Sequence, residues 1–186
     1  MLDGCAAAHV ENGGKIFMDG IYIKEVSIND SQNWNIYEML QDIGKEENGF
    51  INSGYGIGRN EYGELIRKYI KYKTEPETEK GYVPQTIFWL FDGNEVIGYS
   101  KMRSYLTDNL RKKGGHIGYG IRKAKRNRGY GKILLRETIK EIEKAGVKKI
   151  LLTSEAANTG SRKVIESNGG ILEKEIENEC YYWIIL

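Results

Sequence analysis

The chain has 186 residues, of which 40% are apolar, 29% charged and 11% aromatic, a composition that excludes collagen-like, low-complexity and disordered classes. Twenty-eight basic residues against 26 acidic ones leave a net charge of +2, too balanced for bulk charge alone to serve nucleic acid or a membrane surface. The length predicts one domain, and apolar runs such as 86–91 and 183–186 fall far short of the roughly 20 residues that span a bilayer.

Residues 1–14 are small, Gly-rich and without hydrophobic periodicity; they read as a tail or expression leader ahead of a single domain over 15–186. They carry no Lys or Arg and no apolar stretch long enough for a secretory signal. Cys5 and Cys180 stand far apart without metal or C-x-x-C spacing, as free thiols in a reducing, cytoplasmic compartment would. Ile16, Met18, Ile21 and Ile23 alternate around Asp19-Gly20 and predict a strand over 15–25. Asn29 or Asp30 is placed to cap a helix carrying Trp34, Tyr37, Leu40 and Ile43 at helical spacing and ending at Gly44. A Gly-rich loop over 48–58 and a second amphipathic helix over 60–72 follow, the helix with Leu65, Ile66, Tyr69 and Ile70 on one face.

Beyond Pro84, strands over 85–91 and 96–105 flank the hairpin signal Asp92-Gly93-Asn94. A helical turn is predicted over 107–113, and 115–122 alternates Ile117, Tyr119 and Ile121 as a third strand. The strongest helix runs over 129–145, with Leu135, Ile139 and Ile142 in one stripe and Gly146 after its end. The almost wholly apolar strand 149–153 suits a sheet covered on both faces. A short helix over 158–167 and a strand pair, 171–176 and 181–186, complete the chain. This order predicts a mixed α/β (α+β) domain, helices covering a largely antiparallel central sheet, with one parallel βαβ crossover between 116 and 153.

The informative segment is Arg126-Asn127-Arg128-Gly129-Tyr130-Gly131, which follows a strand and opens the strongest helix. Two glycines allow close backbone approach, and the unpaired N–H groups of a first helical turn together with the helix dipole attract an anion. Arg126, Arg128 and Lys132 would add charge-assisted contacts to phosphate oxygens, so a pyrophosphate fits. A Walker A loop is excluded because Gly131-Lys132 is followed by Ile133 and not by a hydroxyl residue, and no Gly-x-Gly-x-x-Gly marks a dinucleotide fold. No metal-ligand spacing occurs.

This segment resembles the R/Q-x-x-G-x-G/A loop of the GCN5-related N-acetyltransferases (GNAT), whose backbone amides hold the pyrophosphate of acetyl-coenzyme A. The hairpin, the 116–121 strand, the loop and its helix, the strand Lys149 to Thr153, Asn158-x-x-Ser161 and the terminal strand pair extend the resemblance over 15–186. Gly114 to Tyr119 and Tyr181 to Ile184 are similar to a bacterial branch of predicted acetyltransferases. The resemblance implies a GNAT-like fold, acetyl-CoA as cosubstrate, and transfer to a primary amine of a small-molecule or peptide acceptor by direct attack in a ternary complex. It implies that backbone groups of Tyr119 and Ile121 bond the pantetheine amides and that Arg126, Asn127, Arg128, Gly129, Tyr130, Gly131 and Lys132 hold the diphosphate. Asn158 would contact the pantetheine arm with Ser161 nearby; simple helix capping by Asn158 is the alternative.

Many relatives carry a tyrosine seven residues after that asparagine to protonate the departing thiolate, whereas this chain has Ile165. Solvent, Tyr119, Tyr130 or Tyr182 is left to supply the proton. An attacking alkylammonium of pKa ~10.4 must first lose a proton. His116 is the catalytic candidate as base, against a structural histidine within the sheet; Glu155 is a weaker candidate. Two alternatives to catalysis stand beside this: a non-catalytic acyl-CoA-binding module, and a nucleic-acid binder using Arg122, Lys123, Lys125, Arg126, Arg128 and Lys132. The coenzyme's own phosphates account for the same charges, which makes nucleic acid the poorer partner. The acceptor is expected between the N-terminal helices, the 48–58 loop and the terminal strands, where Glu46, Glu47, Glu61 and Glu64 would suit a cationic amine. Homodimerisation through the terminal strands is a further expectation.

Overall fold

A computed structural model describes residues 20–47 and 49–186; the expected leader 1–14, Cys5 and the start of the 15–25 strand lie outside them. The elements are β1 (Ile21–Glu25), α1 (Trp34–Ile43), a short strand pair β2 (Glu46–Glu47) and β3 (Phe50–Ile51), α2 (Arg59–Lys71), β4 (Gln85–Asp92), β5 (Glu95–Arg103), α3 (Asp108–Lys112), β6 (Ile117–Ile121), α4 (Tyr130–Lys144), β7 (Lys149–Glu155), α5 (Thr159–Glu166), β8 (Ile171–Ile176) and β9 (Glu179–Ile185). The expected 48–58 loop therefore begins inside a strand pair, and its other arm packs Phe50 against the main sheet.

The mixed α/β class is as expected, but besides the β2–β3 pair the strands form two sheets: a four-stranded one ordered β1-β4-β5-β6 and a three-stranded one ordered β7-β9-β8. Every ladder among the described residues is antiparallel. The expected parallel crossover between 116 and 153 forms no ladder. β6 and β7 meet at one joint, where His116 N donates to the Leu151 carbonyl at 2.8 Å and Leu151 N donates to His116 Nδ1 at 2.9 Å. The imidazole takes the N–H that a continuing ladder would have paired, and the strands separate beyond it. Gly115, at φ 59°, makes the approach possible: a Cβ there would lie 2.4 Å from the Leu151 carbonyl oxygen, a contact only glycine permits.

Ile36, Met39, Leu40 and Ile43 of α1 and Tyr62, Leu65, Ile66 and Tyr69 of α2 are buried and pack with Trp89 and Tyr99 of the first sheet. Trp34 and Ile70, expected on the buried stripes, lie at their exposed margins. Asn33, and neither Asn29 nor Asp30, caps α1, its side chain accepting from Asn35 N and Ile36 N. Asp30 instead sits in a 3₁₀ turn over Ile28–Gln32, 1% exposed. Its carboxylate accepts from Lys24 Nζ at 2.7 Å, Ser27 N at 2.8 Å and the Trp89 indole at 3.0 Å. Removing it strands three donors, one in the core, so Asp30→Ala is expected to cost about 3 kcal/mol in urea denaturation. Asp30→Asn should cost less, and equal stability of wild type and alanine variant would show that the network contributes nothing.

On the opposite face α4 joins the two sheets. Leu134 packs with Leu90, Ile97 and Ile121, while Leu135 and Ile142 pack with Ile150, Leu152, Tyr182 and Ile184. β7 is covered on both faces, as its apolar run predicts, with Ile150, Leu151 and Leu152 all buried. β8 is an outer strand that leaves Ile171, Leu172 and Ile176 exposed. Among the described residues no helix is long and apolar enough to cross a membrane.

Candidate active site

The site follows from the parting of β6 and β7. Arg103 N donates to the His116 carbonyl and Arg122 N to the Ile97 carbonyl, so the even-numbered residues of β6 direct their backbone groups at β5. By the antiparallel alternation, those of Ile117, Tyr119 and Ile121 point the other way, into the gap. The gap is a cavity of about 870 Å³ bounded by β6, β7, α5, the loop before α4 and the β2–β3 pair. Glycines at 118 and 120 leave the sheet face open to Phe50: a Cβ on Gly120 would lie 2.7 Å from the Phe50 ring.

Beyond Ile121 the chain makes a 3₁₀ turn (Lys123–Lys125), enters the left-handed region at Asn127 (φ 58°) and again at Gly129 (φ 85°), and starts α4 without a side-chain cap. The first intrahelical donor is Ile133 N, to the Gly129 carbonyl at 3.2 Å. The amides of Tyr130, Gly131 and Lys132 thus precede the helical ladder, an arrangement suited to an anion. Asn127, Gly129, Gly131 and Lys132 line the cavity, as do Asn158 and Ser161 across from them. Asn158 caps α5, its Oδ1 accepting from Ser161 N at 3.0 Å, and its amide NH2 has no protein partner among the described residues. Capping therefore uses one end of the side chain and leaves the other without a bond.

Residues 56–169 match the family model described as the Acetyltransferase (GNAT) family. The chain belongs to the GNAT acetyltransferase family. No curated protein matches it in sequence, but solved GNAT structures match its fold. The ribosomal-protein-S5-alanine acetyltransferase of Vibrio fischeri is 16% identical, with a TM-score of 0.64 over 91% of this chain and 95% of that one. RimL, a ribosomal L7/L12 alpha-N-protein acetyltransferase in complex with coenzyme A, is 13% identical with a TM-score of 0.65 over 91% and 96%. The protein yncA from Salmonella typhimurium with its cofactor acetyl-CoA is 13% identical with a TM-score of 0.59 over 90% and 94%.

Against this GNAT frame several expected site residues change role. Arg126 Nε donates to the Ile121 carbonyl at 3.0 Å, tying the strand end to the loop and leaving the Ile121 N–H as the group that faces the gap. The side chains of Arg128 and Tyr130 do not line the cavity. The Tyr130 hydroxyl donates to the Asp92 carboxylate, a bond that raises its pKa and holds the ring on the β4–β5 turn. Only the Tyr130 amide stays with the loop. The basic run is likewise interrupted: Arg122 pairs with Asp42 and Lys125 with Glu95, so it is no continuous track for phosphates.

His116 is 7% exposed and does not line the cavity. Its Nδ1 lone pair is committed to Leu151 N, so the neutral ring carries its proton on Nε2 and has no site for another; burial also lowers its pKa. The expected base is thus a joint between the sheets. Glu155 is held by Lys113 at 3.2 Å. Of the acidic residues expected to suit a cationic acceptor, Glu61 caps α2 through Gly58 N and Glu64 pairs with Arg67, while Glu46 does line the cavity.

Ile165, at the position where relatives carry tyrosine, is fully buried in the core shared by α4, β7 and β9. Among the substitutes, Tyr182 is buried between Arg162 and Glu166, and Tyr130 points away. Tyr119 alone of the three lines the cavity. Its hydroxyl meets Ser161 Oγ at 3.0 Å, and burial pushes its pKa up to about 12. Among the cavity residues that the sequence did not single out are Lys101 and Arg103 of β5. Their signal was there, since Tyr99, Lys101 and Arg103 alternate on one face of the strand.

Proposed function

We propose that the protein transfers the acetyl group of acetyl-CoA to a primary amine of a small-molecule or peptide acceptor by direct attack in a ternary complex. The observation that carries this reading is one cavity running from the first-turn amides of α4 to the open backbone edge of β6. Acetyl-CoA supplies an activated thioester. The amides of Tyr130, Gly131 and Lys132 would hold its diphosphate, with the Lys132 charge adding to them. The Tyr119 and Ile121 backbone and the Asn158 amide NH2 would orient the pantetheine arm. The neutral amine forms the new C–N bond as the C–S bond breaks; its proton leaves to solvent through the cavity mouth, and the Tyr119 hydroxyl gives a proton to the departing sulfur. The Ser161 hydroxyl, hydrogen-bonded to it at 3.0 Å, holds that hydroxyl in place.

Calorimetric titration with acetyl-CoA followed by thiol release over a panel of amines tests the assignment. Micromolar binding with amine-dependent thiol release is expected. Absence of binding by folded protein would overturn it, and binding without turnover on any amine would leave an acyl-CoA-binding module. RNA or DNA binding that persists under saturating acetyl-CoA and weakens with salt would favour nucleic acid.

A further inference from the structure

Two cations sit at the acceptor end of the cavity without an acidic partner. Lys101 and Arg103 alternate on β5 and both line the cavity. Lys101 is 9% exposed; its ammonium donates to the Ile51 carbonyl at 2.7 Å and lies 5.4 Å from the Phe50 ring centroid and 5.9 Å from that of Tyr99. Arg103 Nη1 donates to the Gly115 carbonyl at 3.1 Å. No carboxylate lies within 4.0 Å of either cation among the described residues, although Glu46 and Glu179 line the same cavity. With three donors on an ammonium and five on a guanidinium, most of their hydrogen-bonding capacity is directed at nothing in the protein.

The coenzyme loop is not their counterpart. Lys101 pairs with Gly118, three residues before Ile121, and at ~3.3 Å per residue the loop begins about 10 Å further along the strand. Arg103 lies further still from it, opposite His116. Lys101 is buried and Arg103 half-buried, and holding two like charges out of water on one strand carries a desolvation cost. A bound anion would offset it.

We infer that Lys101 and Arg103 form a binding site for an anionic group on the acceptor, so that the substrate is a small primary amine that also bears a carboxylate or a phosphate. This names the substrate class of the acetyl-transfer site and rests on that reading. Burial, reinforced by the Arg103 charge, lowers Lys101 to about 7, the state expected of an ammonium awaiting its counter-ion. Arg103, which keeps its charge throughout the neutral range, is the permanent half of the site.

The test is calorimetry on the coenzyme A-loaded protein with matched amines that differ only in the anion: β-alanine against β-alaninamide, and O-phosphoethanolamine against ethanolamine. At least one charged member should bind about tenfold or more tightly than its neutral twin, and which pair responds separates carboxylate from phosphate. Lys101→Met and Arg103→Gln should each erase the preference while leaving coenzyme A affinity at the wild-type value. Lys101→Met removes an uncompensated buried charge at nearly constant volume, so it does not endanger the fold. Equal binding of both twins in both pairs, no binding of either charged member, or a preference that survives both substitutions would overturn the inference. Failure of the wild type to bind coenzyme A would instead condemn the acetyl-transfer reading, and is read in the same instrument before any amine is added.

Discussion

Gly129→Asp is expected to weaken acetyl-CoA binding by about 100-fold or more while the protein remains folded. Gly129 adopts φ 85°, where any L side chain is strained by roughly 1–2 kcal/mol, and a carboxylate beside the amides of Tyr130, Gly131 and Lys132 would accept their hydrogen bonds and repel a diphosphate. A 100-fold loss corresponds to ~2.8 kcal/mol. A Cβ at this position meets no atom within 4 Å, so the substitution acts on the ligand and not on packing. Gly129→Ala separates the two effects, since it carries the backbone strain without the charge and should lose no more than about tenfold. Calorimetry beside a thermal melt reads both, and an aspartate variant that binds like the wild type would remove the diphosphate from this loop.

Tyr119→Phe should lower kcat by about 100-fold, the lower range for loss of a positioned general acid, with acetyl-CoA affinity unchanged. The hydroxyl is the only part removed; the ring still packs beside α4, and Ser161 keeps its helical position through Asn158. Because burial pushes the Tyr119 pKa up to about 12, the acid remains protonated across the neutral range. The wild-type rate should therefore rise with pH as the amine loses its proton and should show no decline below pH ~10. An acyl donor with a more acidic thiol needs no protonation on leaving, so the gap between wild type and Tyr119→Phe should narrow with it. A phenylalanine variant with undiminished kcat would assign the proton to solvent.

Local periodicity carried most of the fold. The helix over 129–145 and the strand over 149–153 were legible because a helical stripe and a continuous apolar run each have few alternative readings. The first helix was legible but its start was not: Asn29, Asp30 and Asn33 are all competent caps, and the choice is made by the Trp89 indole, 59 residues from Asp30, which draws that carboxylate into the core. The loop Arg126 to Gly131 announced an anion site through its glycines and its position before a helix, yet the individual side chains divided in a way spacing does not encode. Arg126 bonds back to Ile121 while still lining the cavity with Lys132, and Tyr130 reached Asp92.

The sequence by itself determined the mixed α/β class, the element order apart from the β2–β3 pair, the family and the glycine loop, because backbone conformation and amphipathic pattern depend on neighbours along the chain. The tertiary structure alone decided that β6 and β7 meet only at His116 and then part, that the histidine is consumed by this joint, and that Tyr119, Lys101 and Arg103 face the resulting gap. Those outcomes rest on which hydrogen-bonding groups find partners across the sheets, and a partner distant in sequence leaves no periodic trace in either segment.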